Sequence, residues 1–294
     1  MGFDSAYEAI TEEQDEHRWA FGTGFTDALA GVDTAVPDGV DAAQLAATCL
    51  ALGDDALIMS HRLQQWLARA PELEEETALA NIALDLLGQA RLLLARAEAA
   101  DATLRPSTAP PKLPGEDALA YFRAPEQFAN VQLAELDDSH DFARCVARLL
   151  AFSTWRLALA QQLRATADPV LAAICAKAVP ELTYHREYAA GWAVRLGDGT
   201  ALSHERMQAA LDWIWPYLDE LYDDARFATI AQDVREESTG VLREVCRAGT
   251  LREPPPFCTV SGAASGRAGQ HTSALAPLLA ELQCVAREHA GASW

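Results

Sequence analysis

Lysine is almost missing from this chain: Lys112 and Lys177 are the only two, and no Lys/Arg run long enough to line a polyanion groove occurs in its 294 residues. Basic residues number 23 against 43 acidic ones, a formal charge of −20, so the field around the fold repels phosphate backbones and anionic lipid surfaces. Nucleic acid and membrane are therefore poor partners. Cysteine pairs are lacking too. Cys49, Cys145, Cys175, Cys246, Cys258 and Cys284 are far apart with no C-x-x-C, which reads as free thiols in a reducing, cytoplasmic compartment. Met1-Gly2-Phe3-Asp4 leads into acidic residues rather than a basic and then apolar stretch, so no secretory signal is expected. No apolar run approaches the roughly 20 residues that span a bilayer. Phosphate-cradling glycine loops, a G-x-S-x-G elbow and alternating Val/Ile/Thr strands are also absent, which argues against nucleotide-binding, hydrolase and sheet-based classes.

Helical periodicity is what remains, in a chain that is 50% hydrophobic. Residues 1–40, interrupted by Gly22, Gly24, Gly31, Pro37 and Gly39, read as an acidic extension, and residues 41–294 as the folded unit. From Asp41, the positions Leu45, Cys49, Leu52, Ala56, Met59, Leu63 and Trp66 recur at helical spacing until Pro71 stops the run. A second helix from about Glu72 carries Leu79, Ile82, Ala83, Leu86, Leu87, Ala90, Leu93, Leu94 and Ala97 on one stripe. Pro106, Pro110, Pro111 and Pro114 forbid helix between Leu104 and Gly115 and mark a long connection. A third helix is expected from about Asp141 to Ala167. Asp168-Pro169 opens a fourth that runs to Gly197. Accessory helices fit 203–223, 230–247 and 273–289. Helix pair, long connection and helix pair is the order of an all-α, ferritin-like antiparallel helical bundle with accessory C-terminal helices.

In bundles of this type that hold two metals, each half supplies a Glu from one helix and a Glu-x-x-His from the next. No Glu-x-x-His occurs here: the residue three before His185 is Leu182. Polar residues nevertheless interrupt the stripes. Asp54 and Gln89 in the first pair are 35 residues apart, and Ser153 and His185 in the second are 32 apart. His185 is open to two readings, a hydrogen-bonded core histidine or a residual ligand, and Asp54 is equally open to a structural role. Lys177, Glu181 and His185 share one face at helical spacing, as do Asn81, Asp85 and Gln89. Lys177 and Glu181 are open to two readings as well, an ion-paired cluster where a metal would otherwise sit or a pair at the solvent edge.

The stretches Pro71-Glu-Leu-Glu, Ala78-Leu-Ala-Asn-Ile-Ala-Leu-Asp-Leu-Leu-Gly-Gln-Ala-Arg91, Glu181-x-x-Tyr184-His185-Arg186, Gly191-Trp192 and His271-Thr-x-x-Leu-x-Pro277-Leu-Leu-Ala-Glu281 resemble the C-subunit family of the phenylacetyl-CoA 1,2-epoxidase (ring-1,2-monooxygenase) complex. The likeness runs from about residue 45 to Trp294. It implies a ferritin-like protein that pairs with a catalytic A subunit, joins the other epoxidase subunits, forms a homodimer and has lost its metal site. Di-iron is expected in the A subunit and flavin and iron–sulfur groups in a reductase partner, with no cofactor in this chain. On this resemblance Leu86 and Gln89 replace a Glu and a His ligand, Leu182 replaces a Glu, His185 remains, and Asp54 and Ser153 stand at the other two carboxylate positions. The implied function is a non-catalytic structural partner that stabilises and orients the epoxidising A subunit. The alternative is a divergent metal-dependent oxidase using a residual site around His185 and Asp54. Surplus aromatics at Trp213, Trp215, Tyr217 and Tyr222 mark an interface candidate.

Overall fold

Aspartates start three of the four long helices for the same reason: a carboxylate just outside the first turn accepts from amides that have no helical partner. Asp41 takes the N–H groups of Ala43 and Gln44 and opens α1, Ala42–Gln64. Asp141 does the same for Ala143 and Arg144 at α5, Phe142–Leu163. Asp168, followed by Pro169 at the first helical position, takes the N–H of Leu171 and opens α6, Pro169–Gly197. Between α1 and α5 lie α2 (Leu73–Ala100), α3 (Gly115–Tyr121) and α4 (Gln132–Glu135). After α6 come α7 (Ala201–Ile214), α8 (Ala231–Ala248) and α9 (Leu275–Glu288). This computed structural model describes residues 29, 31–255, 265–290 and 292. Cys258 and residues 1–28 of the expected extension lie outside them.

The order is all-α and ferritin-like, with no strand among the described residues. α1 packs on α2 and α5 on α6, and the two pairs meet through α2 and α6. α7 and α8 cover α5. α1 and α2 approach closely at Gly53, where a Cβ would fall 2.8 Å from Leu94. The chain departs from its sequence pattern in two places. The proline-rich stretch 105–114 is free of helix as expected, and the departure lies after it, where the short helices α3 and α4 are too brief for periodicity to reveal. The single helix expected over 203–223 stops at Ile214, because Pro216 lacks the amide that would continue it, and the chain proceeds in 3₁₀ turns over Trp215–Tyr217 and Asp219–Tyr222.

By length and composition α1 and α2 would each pass for a membrane span, with mean hydropathy of 1.3 and 1.4 over 18 residues. No such run stands out in the sequence, because Asp54 and Asp55 divide α1 and a polar line, Asn81, Asp85 and Gln89, divides α2. α1 is a core helix of the bundle: 72% of that stretch is buried, against 44% for α2. α2 therefore keeps an uncovered apolar side, with Leu73, Leu84 and Leu87 exposed and Tyr184 of α6 also exposed.

A candidate site at the bundle centre

The polar residues of the four long helices fall into separate clusters. His185 of α6 is fully buried. Its Nε2 lies 3.0 Å from Oδ2 of Asp85 on α2, and its Nδ1 is buried without a partner. One turn along each helix, Gln89 of α2 joins two further groups: its Nε2 donates to Oε2 of Glu181 at 3.0 Å, and its Oε1 accepts from Nε of Arg156 at 3.1 Å. Lys177 donates to the other oxygen of Glu181. The resulting chain runs from Arg156 through Gln89 and Glu181 to Lys177, from a guanidinium 5% exposed to an ammonium side chain 35% exposed. Burial pulls the Arg156 pKa down.

Asp54 belongs to a different cluster. Arg123, in the connection after α3, pairs with both of its carboxylate oxygens, and the amide of Ala129 donates to Oδ2 at 2.9 Å. The same guanidinium also bonds the carbonyls of Leu119 and Gln127 and lies 4.1 Å from the Phe128 ring centre. Next along α1, Asp55 takes both nitrogens of the Arg267 fork at 2.8–3.0 Å. Arg267 further donates to the carbonyls of Ala51 and Ala129 and sits 3.2 Å from Asp224. Burial works against its charge, and Asp55 outweighs burial, so its pKa is raised. Glu135 of α4 is fully buried, accepts from Thr272 N–H, and lies 3.4 Å from Nδ1 of His271. Desolvation lowers the His271 pKa, yet the Glu135 contact prevails and the net direction is up.

Ser153 returns its hydroxyl to the carbonyl of Leu149 within its own helix. Leu86 and Leu182 are fully buried. Asn81 is exposed on α2. Among the described residues, no group of three or more His, Cys, Asp or Glu side chains is disposed to hold a metal ion. Cys49, Cys145, Cys175, Cys246 and Cys284 are free, and burial pushes the Cys175 thiol up to about 11. Of the aromatic group, Tyr222 is buried in the chain's own core with the Arg235 guanidinium 5.2 Å from its ring centre. Trp213, Trp215 and Tyr217 are half-buried against that core, and the Arg144 guanidinium lies 5.1 Å from the Trp213 ring centre.

Of the face that spacing gave to Lys177, Glu181 and His185, the structure joins Lys177 to Glu181, adds Gln89 from the other line, and leaves His185 apart with Asp85. Asp54 and Ser153 lie elsewhere. Spacing did not single out Arg156, Arg123, Arg267 or Asp55. Arg156 had a signal, an arginine inside the apolar run Leu149–Ala160. Arg123 and Arg267 lie in connections, where no periodicity points inward.

A profile of the family described as "Phenylacetic acid catabolic protein" matches residues 32–294. The chain is 39% identical over 266 residues to the C subunit of 1,2-phenylacetyl-CoA epoxidase from Escherichia coli (strain K12), covering 85% of this chain and 99% of that protein. On both counts the chain belongs to the phenylacetic acid catabolic protein family.

Proposed function

We propose that this chain is a non-catalytic structural partner in a multicomponent di-iron oxygenase that epoxidises the ring of phenylacetyl-CoA, and that it stabilises and orients the catalytic A subunit in the cytoplasm. The observation that carries this reading is the commitment of Asp54 to Arg123: both oxygens face a guanidinium, and a backbone amide occupies one of them as well. The remaining positions do not fit a metal pair. Ser153 and Gln89 are engaged with protein partners, Leu86 and Leu182 offer no donor, and a buried cation, Arg156, bonds to Gln89. Two metal cations about 4 Å apart need several anionic oxygens, and His185 with a half-exposed Asp85 supplies one carboxylate. The alternative, an oxidase built on His185 and Asp54, gains no support, since each already has its own separate partner. Iron and other transition metals, counted by mass spectrometry on the chain expressed alone in iron-supplemented medium, should be near zero; one or two per chain would overturn the reading.

We propose the uncovered side of α2 as the surface that meets the A subunit. Leu84 and Leu87, exposed at 55% and 37%, form an apolar strip of the kind that marks association surfaces. Charging it with Leu84→Glu and Leu87→Glu should reduce co-purification with the A subunit at least about tenfold, the effect of losing roughly 1.4 kcal/mol of binding. Loss in Trp213→Ala/Tyr217→Ala instead would place the contact at the aromatic end of α7. The homodimer and the contacts with other epoxidase subunits are then open to the remaining faces.

A further inference from the structure

Among the described residues, the buried arginines are each paired with a carboxylate or held by several acceptors, with one exception. Arg96 pairs with Asp168, Arg123 with Asp54, Arg148 with Asp138 and Arg267 with Asp55. Arg62 has no carboxylate partner, yet it donates to the carbonyls of Glu135 and Ala274 and to Gln65. Arg156 makes a single hydrogen bond, from Nε to Gln89. Its Nη1 is buried and bonded to nothing. The neighbouring carboxylates do not neutralise it, because Glu181 is paired with Lys177 and Asp55 with Arg267. The Phe152 ring centre lies 5.7 Å from the guanidinium carbon, but a ring face carries no net charge, and a buried guanidinium without a carboxylate of its own favours an anion beside it.

A cavity of about 20 Å³ adjoins this side chain. Apart from Arg156 and Gln89, its walls are apolar, with Leu52, Leu93, Ile174 and Leu182 among them, together with the Cys175 thiol. A single water needs roughly 10–15 Å³ of such space and two to four polar partners. The room suffices for one water, and Arg156 with the second lone pair of Gln89 Oε1 would give it two partners at most, the thiol being a weak donor. A water there would carry no charge to offset the guanidinium. A halide has no hydrogens to place, accepts from N–H donors, and tolerates apolar contact on its other side.

We propose that the cavity beside Arg156 binds one small monovalent anion of chloride size, which neutralises the guanidinium and ties α5 to α2 and α6 at the centre of the bundle. Such a site is independent of the partner role proposed above, since it belongs to the chain alone and no activity enters its test.

Two measurements decide it. The wild-type chain crystallised with sodium bromide should show an anomalous difference peak in contact with the Arg156 guanidinium. In solution, thermal unfolding in sodium chloride is compared with sodium gluconate of equal ionic strength, gluconate being too large to enter. The melting temperature should rise with chloride by about 2–3 °C per tenfold increase above the dissociation constant, and stay flat in gluconate. In Arg156→Met, and in Arg156→Gln if the first variant fails to fold, the difference between the salts should vanish. A cavity holding ordinary water, with identical melting in both salts, overturns the proposal. So does a bromide peak without any chloride dependence in solution, which would mean binding at crystal concentration only, or a chloride effect that persists without Arg156.

Discussion

Arg267→Ala is expected to remove about 3–5 kcal/mol from the unfolding free energy, the cost of leaving a buried carboxylate without its cation. The side chain reaches from the segment before α9 into the middle of the bundle. It holds Asp55 of α1 with two nitrogens, the carbonyls of Ala51 and Ala129, and the flank of Asp224. Without it, Asp55, fully buried, keeps only the amide of Val131 at 2.8 Å. The two main-chain carbonyls lose their donor as well. The segment has little freedom to compensate. A Cβ on Gly266 would collide with the carbonyl oxygen of Asn130, and Glu220 accepts from both Ser265 and the Gly266 amide. Arg267→Lys should recover only part of the loss, since a single ammonium cannot reproduce a planar fork serving two carboxylates and two carbonyls. Urea unfolding of both variants beside wild type measures this. A loss in Arg267→Ala below about 1 kcal/mol, the range of exposed pairs, would mean that the segment docks by other contacts.

Much of this architecture is legible in the sequence because burial on a helix leaves a periodic trace. The stripe expected on α2 is buried at Leu79, Ile82, Ala83, Leu86, Ala90 and Leu93 and fails at Leu87, which is exposed, and the aspartate caps at 41, 141 and 168 mark where three long helices begin. The candidate site was legible only in part, for a geometric reason. Gln89 interrupts an apolar stripe and Glu181 shares the face of His185 and Lys177, so spacing marks them as inward or edge residues, and they meet across α2 and α6. Asp54 also stands on a stripe, but which cation reaches it depends on the path of a non-periodic connection. Arg123 arrives 69 residues further along the chain. Lys177 shows the converse limit. Its register toward Glu181 is correct, while the depth of its ammonium depends on the surrounding helices, which leave it at the rim and give the buried place to Arg156.

That distinction makes the Asp54–Arg123 pair the sharpest test of what has become of the ligand position. A carboxylate kept for a guanidinium and one kept for a metal respond differently to removal of the guanidinium. If Asp54 is structural, Arg123→Met leaves a fully buried carboxylate with one amide donor, and stability should fall by about 3–5 kcal/mol. Asp54→Leu should fall by a similar amount. It strands a guanidinium that retains the carbonyls of Leu119 and Gln127 and the face of Phe128, with no charge to match. Replacing both residues removes both desolvation costs and leaves apolar side chains of comparable volume, so the double variant should lie within about 1–2 kcal/mol of wild type. The coupling energy is then at least about 4 kcal/mol, well above the few tenths found for independent sites. A metal-bound Asp54 would give the opposite pattern: Arg123→Met would be mild, the double variant would be no better than Asp54→Leu, and a chelator would lower the wild-type melting temperature. On the geometry described, the chelator should leave the melting curve unchanged, because the position that resembles a ligand in sequence is a tie-point of the fold in which an arginine from the connection locks onto α1.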